Sequence, residues 1–596
     1  MKKTSKIAAM IAAMALTAAM CVPTAMMSAS AATDTTSGNS ITVTNQDDAT
    51  HTYAAYQIFS GNYSGDTLND IAWGDGVNGT NLLSALQTAS TTTGHALYGL
   101  FPAATVTDAK KVAEVLGSKE GDPASAVFGD DSAKAQAFAE IVAANLTTQT
   151  SGTYASNVVS NLPDGYYLIM DTAAPSGGTN NTGAKTRFIV KVSGDEDITV
   201  NAKHSAPTVD KLVQDEAADK DKNSTDADGW GETADHAINE EFDFKLVATL
   251  AKDADYAAYD TYRVLFTDTL NAGVTYDRIK SVKVNGVTVD AYVAAPATGD
   301  DERTAAEKAG YLLTAPTYNA TTIGGGTLTI SIGDIKQWLG STAWADTNDS
   351  GVTVEVIYTA HLNENATVEH GSNDSAATTY NNVNKVKLNY SNNPNVEGSG
   401  DSGDTPGGGG NNEETGETPE DYVWVFTYEV DNTKYHDSAT AGNELAGAGF
   451  RLYDSTGNTE IGLIYDSTLS AYRPVKSGEA ATEMTSATTT GKFDIKGLDA
   501  GTYVLKETTV PSGYNKCDDI TITIEAVHEE NTGGSTAKLT FSGSNATNNI
   551  VNNKGSALPS TGGMGTTLFI VCGSLTAAAA GVYLVSKKRA KEEDAQ

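Results

Sequence analysis

The residues that could do chemistry in this chain are few, and most of them lack the setting that chemistry needs. GDSG at 400–403 has the composition of a serine-hydrolase nucleophile loop, but it lies in a Gly-rich run with no strand to hold the serine. The stretch from Asp219 alternates acids as a calcium loop does, yet Ser224 stands where the turn needs Gly and Trp230 where the closing Glu belongs. The stretch from Asp346 keeps Gly351 but puts Ile357 at the closing position. The eight His are scattered, with no HExxH and no paired metal spacing, so no zinc chemistry is expected, and no metal or other cofactor is called for.

The stretch LPSTG, comprising Leu558, Pro559, Ser560, Thr561 and Gly562, is different, because everything around it agrees. An uncharged apolar run follows from Thr566 to Ser586, roughly the 20 residues that cross a bilayer as a helix. Lys587, Lys588 and Arg589 come directly behind it and place the short tail in the cytoplasm. The opposite end has a basic start, an apolar middle and the small-residue site Ala29-Ser30-Ala31, the pattern of a cleaved secretory signal over 1–31; the residues before Cys21 fit a lipid-attachment site poorly. In this order the elements resemble the cell-wall sorting signal of Gram-positive surface proteins. The resemblance implies that a membrane-bound sortase cuts between Thr561 and Gly562 and passes the Thr561 acyl group to an amine, while the span holds the chain at the membrane.

Composition bounds the rest. A chain of 596 residues exceeds what a single core supports, so several domains are expected. A formal charge of −36 argues against nucleic-acid or anionic-membrane binding. Of three cysteines, Cys21 leaves with the signal and Cys572 lies in the span, so Cys517 has no partner for an internal disulfide in the exported part.

The elements that must position any site are mainly strands. Runs such as ITVTNQ, YYLIMDT, FDFKLVATL, YRVLFTDTL, VTVEVIYTAHL, KVKLNY and GTYVLKE alternate or are β-branched, and Gly, Asn and Asp turns separate them. The fold class is therefore mainly β, with tandem immunoglobulin-like β-sandwiches. DAKKVAEVLGSK and AKAQAFAEIVAANL have helical spacing and add helices to the first domain. Composition breaks near 203 and again at a Gly-rich, acidic stretch. The expected domains are 32–203, 204–393 and 421–557, with 394–420 as linker and 558–596 as the sorting signal.

In the last domain, Lys434 opens a segment ending in LAGAGFRLYD, Glu507 lies in GTYVLKETTVPSGY, and Asn552 lies in IVNNKG. These segments resemble CnaB-type domains, in which a first-strand Lys amine attacks a last-strand Asn amide, ammonia leaves, and an isopeptide bond joins the two strands. The resemblance implies Lys434 as nucleophile, Asn552 as electrophile, with Asn553 its rival, and Glu507 as the acid. Burial suits this chemistry: it lowers a Lys pKa to give the neutral amine and raises a Glu pKa to give a proton donor. The middle domain is similar to the isopeptide-forming middle domain of backbone pilins, which implies Lys211, Asn384 and the acid Asp268; Asp243, Glu241 and Asn382 are alternatives in that trio.

The first domain lacks a first-strand Lys, and no such bond is expected there, although AYQIFSG and LPDGYYLIMDT resemble the N-terminal domain of the same pilins. In polymerised pilins a Lys at the junction of the first two domains accepts the acyl group. Lys203 in DITVNAKHSAP is the corresponding residue, with Asn-Ala where the family has Tyr-Pro. The implied protein is a backbone (major) subunit of a sortase-assembled pilus on the Gram-positive cell surface, with no enzymatic turnover of its own. Its implied partners are pilus-specific and housekeeping sortases, identical subunits, minor pilins and peptidoglycan. The alternative is a wall-anchored monomeric adhesin, or a minor pilin at base or tip.

Overall fold

The computed structural model describes residues 39–45, 50–64, 67–117, 133–148, 150–172, 187–192, 198–202, 206–215, 229–250, 262–291, 310–339, 351–370, 382–392, 415–529, 534–541, 548–555 and 565–593. The signal segment, Lys203 and 558–562 lie outside these residues.

The first domain stacks two four-stranded sheets and a layer of helices. One sheet runs Thr153–Ala155, Val158–Leu162, Asn39–Thr44, Ile198–Asn201; the other runs Thr67–Trp73, Tyr53–Ser64, Gly165–Asp171, Arg187–Val192. Alternation along the second sheet decides what it meets. Tyr167 and Ile169 join Ile41 and Val43 between the sheets, while Leu168 turns outward to the helices with Ile58. Helices Ala109–Leu116 and Ala133–Ala143 fall where periodicity predicts them. A further helix, Gly79–Thr91, was not expected from its Thr, Ser and Asn content; it is capped by Asn78 and buries Leu82, Leu86 and Ala89 along one face.

The middle domain is a sandwich of a six-stranded and a seven-stranded sheet. Its core is filled by inward rows such as Phe244, Leu246, Ala248 and Leu250. Here the expected boundary needs correction. Strand Asp421–Phe426, assigned by composition to the last domain, pairs antiparallel with Val383–Ser391 of the middle domain and parallel with Thr233–Asp235. Thr415–Glu417, expected to be linker, also pairs with Val383–Ser391. Val423 and Val425 are buried in the middle core, so the strands that follow the Gly-rich stretch in sequence complete the middle sandwich.

The last domain begins at Tyr428–Val430 and packs a sheet of four of its strands, extended at one edge by Glu369–His370 of the middle domain, against a six-stranded one. A separate parallel pair joins Asn432–His436, near its start, to Asn548–Asn552, its last described strand. The junction with the middle domain is close. The Ile238 amide donates to the Gly497 carbonyl (3.0 Å), and Asn239 Nδ2 donates to the Pro474 carbonyl (2.8 Å). Gly497 has φ +87°, and a Cβ there would lie 2.5 Å from Ile238 Cδ1. The buried Arg473 bonds Asp466 and Glu479 of its own domain and reaches Glu364 of the middle one at 3.3 Å. C-terminally, Gly565–Glu593 is a helix whose segment Ile570–Lys588 has mean hydropathy 1.5, long and apolar enough to cross a membrane.

Candidate isopeptide sites

In each of the two later sandwiches, one lysine, one acid and one asparagine stand in inward-facing rows, which in the middle sandwich are otherwise apolar and in the last also hold the buried Asn432 and Asn548. Strand Asn548–Asn552 buries Asn548, Ile550 and Asn552 and turns Asn549 out. Asn553 is exposed, so strand period alone selects Asn552 over its rival. Strand Gly501–Thr509 buries Tyr503, Leu505 and Glu507 in succession. Lys434 faces Ile550 across the parallel pair, which puts it two residues from Asn552 on the same face.

The three side chains meet in a dry pocket. Lys434 and Asn552 are 0 % exposed and Glu507 2 %. Lys434 Nζ lies 2.5 Å from Asn552 Oδ1 and 3.6 Å from Glu507 Oε1, and Asn552 Nδ2 donates to the same Glu507 oxygen at 2.7 Å. The Phe450 ring lies 5.4 Å from the amine. Burial pulls the Lys434 pKa down, opposed by the neighbouring Cys517 and Glu507, and so favours the neutral, nucleophilic amine. The acid touches both the attacking nitrogen and the amide nitrogen that would leave. Sequence reasoning gave Cys517 no role at this site. Its backbone amide donates to Glu507 Oε2 at 2.9 Å and fixes the carboxyl; its thiol is pushed by burial up to about 11, against the pull of Lys434, and stays protonated at neutral pH.

The middle site is built the same way from different strands. Val209, Lys211 and Val213 are the inward row of Thr208–Gln214; Val264, Phe266, Asp268 and Leu270 that of Val264–Leu270; Asn384, Val386, Leu388 and Tyr390 that of Val383–Ser391. Lys211, Asp268 and Asn384 are each 0 % exposed. Lys211 Nζ pairs with Asp268 Oδ2, and the Phe244 ring lies 4.9 Å from the amine. Desolvation lowers the Lys211 pKa and raises that of Asp268, each held back by the other, so burial favours a neutral amine beside a neutral acid. Asp421 Oδ2 accepts the Lys211 backbone amide at 2.7 Å, tying the lysine strand to the returning strand.

The alternatives considered for this trio are engaged elsewhere. Asp243 bonds Lys280 and Thr359, Glu241 pairs with Arg278 at the surface, and Asn382 exchanges hydrogen bonds with the Thr367 backbone. Sequence reasoning passed over Tyr358, which the structure sets among the three. Its hydroxyl lies 3.2 Å from Lys211 Nζ, 3.1 Å from Asp268 Oδ2 and 2.7 Å from Asn384 Nδ2. The signal was present: Val354, Val356, Tyr358, Ala360 and Leu362 form one inward row, and a phenol in such a row must find a polar partner.

Known proteins fit this architecture. Residues 432–538 match the SpaA family model, described as a prealbumin-like fold domain, and residues 550–593 match the LPXTG cell wall anchor motif. The fold and the anchor define the class: a cell-wall-anchored surface protein of tandem β-sandwiches. More particularly, the last sandwich is a SpaA-type prealbumin-like domain, and the chain as a whole is similar to Gram-positive major pilins. The full-length major pilin SpaD from Corynebacterium diphtheriae is 14 % identical, over 87 % of this chain and 98 % of that one, with TM-score 0.37. The T6 backbone pilin of Streptococcus pyogenes is 14 % identical over 88 % and 100 %, TM-score 0.43, and BcpA, the major pilin subunit of Bacillus cereus, 15 % over 87 % and 100 %, TM-score 0.35. Among curated proteins no relative matches.

Proposed function

We propose that the protein is the shaft subunit of a covalently polymerised cell-surface pilus, strengthened by isopeptide bonds Lys434–Asn552 and Lys211–Asn384. The observation that carries this reading is the pair of dry Lys–acid–Asn trios, each standing where apolar residues belong. Burying an amine, an acid and an amide together costs desolvation that apolar side chains would not incur, and here the gain is a covalent bond. In each site the neutral Nζ attacks the Asn Cγ, the Cγ–Nδ2 bond breaks, and ammonia departs with a proton relayed by Glu507 or Asp268. The process is a single turnover within one chain; the protein is a structural subunit and a sortase substrate.

Assembly in this reading joins Thr561 of one subunit to Lys203 of the next, and the basal subunit to peptidoglycan. Force would enter each subunit near Lys203 and leave near Thr561. A Lys434–Asn552 bond would carry tension between the outer strands of the last domain without loading their hydrogen-bond ladder.

The test is intact-protein mass spectrometry of the secreted region, residues 32–557, with peptide mapping. Each bond removes one ammonia, about 17 Da, because the amide nitrogen is the leaving group. Loss of two ammonias, with cross-linked peptides containing Lys211 and Lys434, is expected. No loss would overturn the isopeptide assignments.

A further inference from the structure

The two sites differ at the leaving group. In the last domain Glu507 Oε1 reaches Asn552 Nδ2 directly at 2.7 Å. In the middle domain the acid is one methylene shorter, and the group in contact with Asn384 Nδ2 is the Tyr358 hydroxyl, also at 2.7 Å. That hydroxyl in turn bonds Asp268 Oδ2 at 3.1 Å, and Tyr358 is fully buried. We propose that Tyr358 is a catalytic residue of the middle site, a proton relay between Asp268 and the departing amide nitrogen, so that Asp268 and Tyr358 together do what Glu507 does alone. The proposal rests on the isopeptide reading above and adds to it the route of the proton.

The step balances as follows. Neutral Lys211 Nζ attacks Asn384 Cγ, forming the new C–N bond and a tetrahedral centre in which Nδ2 gains a basic lone pair. The protonated Asp268 gives its proton to the Tyr358 oxygen as the Tyr358 O–H proton passes to Nδ2, and the Cγ–Nδ2 bond breaks with release of ammonia. Nζ loses a proton to Asp268 Oδ2, its hydrogen-bond partner, so both the acid and the phenol end as they began. The phenol already lies between the two groups: at rest it accepts from Asn384 Nδ2 and donates to Asp268 Oδ2, and both bonds reverse as Nδ2 gains its lone pair and the protonated acid becomes the donor. The phenol need not ionise, which matters because burial raises its pKa well above the usual phenol value. Among the described residues Asp268 Oδ1 and Asn384 Oδ1 are buried without hydrogen-bond partners, so Tyr358 supplies the site's polar link between acid and amide.

The experiment follows ammonia loss with time after cell-free synthesis of the region 32–557, mapping each cross-linked peptide separately. Wild type must first lose ammonia at Lys211–Asn384; if it does not, the isopeptide reading itself fails. Given that loss, Tyr358→Phe is expected to slow the Lys211–Asn384 bond at least about 100-fold, the low end of what a positioned proton donor supplies, while the Lys434–Asn552 bond forms at the wild-type rate. In Asp268→Glu/Tyr358→Phe the longer acid reaches Nδ2 unaided, and bond formation recovers. An undiminished rate in Tyr358→Phe overturns the relay. So does a slow variant that the Glu substitution does not rescue and whose middle domain has lost protease resistance, since the hydroxyl would then be only structural.

Discussion

At the scale of single residues, each of the two later domains buries a lysine, an acid and an asparagine together in its core. Glu507 contacts both Lys434 Nζ and Asn552 Nδ2, so under the proposed reaction Glu507→Ala is expected to leave Lys434 and Asn552 unlinked, read as a mass about 17 Da above that expected for the linked form. Losing a cross-link between residues 118 apart is expected to cost on the order of 4 to 5 kcal/mol by the chain-entropy argument used for disulfides, and to lower the domain's melting temperature by on the order of 15 °C in calorimetry. His236 offers a separate prediction. Burial lowers its pKa to about 4, and with Nε2–H given to the Gln214 carbonyl its Nδ1 has no hydrogen-bond partner among the described residues. The unfolded chain binds this proton near the ordinary value of 6.5 and the folded one only near 4. The stabilisation is therefore complete above about pH 6.5 and is lost as pH falls toward 4, about 3 kcal/mol in all. Denaturant titrations at pH 7 and pH 4 are expected to show this loss, and His236→Phe to reduce it. The trios were legible through the segments that resemble known isopeptide-forming domains, whereas the separation of Asn552 from Asn553 needed the strand period that the structure shows. Tyr358 was not legible, because a tyrosine in an apolar row reads first as core, and the groups that claim its hydroxyl come from distant strands.

At the scale of elements, the strand assignments followed from alternation, but the ownership of one strand did not. A run of Gly and acids signals a break in packing, and nothing local says whether the chain beyond it starts a new sheet or returns to the old one. Strand Asp421–Phe426 returns: Val423 and Val425 are fully buried in the middle core, and Asp421 holds the Lys211 amide. Val423→Asp/Val425→Asp is therefore expected to abolish the protease resistance of the middle domain and its Lys211–Asn384 bond, while the Lys434–Asn552 peptide remains cross-linked. Halving the stretch 393–414, in contrast, changes the loop-closure entropy by only about 0.6 kcal/mol, and thermal unfolding is expected to be almost unaffected. The helix Gly79–Thr91 escaped notice for a related reason: its apolar face is narrow, and its polar residues are ones that favour caps and turns in isolation.

At the scale of the whole molecule, the anchor and the order of domains were readable from sequence, because a sorting signal is contiguous and each of its parts has a physical length and charge. The linkage between subunits is the property that separates a shaft from a lone adhesin. Replacing Lys203 by Ala is expected to collapse the detergent-resistant ladder in wall extracts to a monomer band while the protein stays wall-bound, whereas Thr561→Ala is expected to remove both. The returning strand also bears on the timing of export. In a chain exported from its N-terminus, Lys211, Asp268 and Asn384 would reach the exterior before Asp421–Phe426, leaving Val383–Ser391 without that partner strand until the Gly-rich stretch had followed. The length of that stretch would then set a delay, a short clock between the appearance of the three side chains and the completion of the sheet around them.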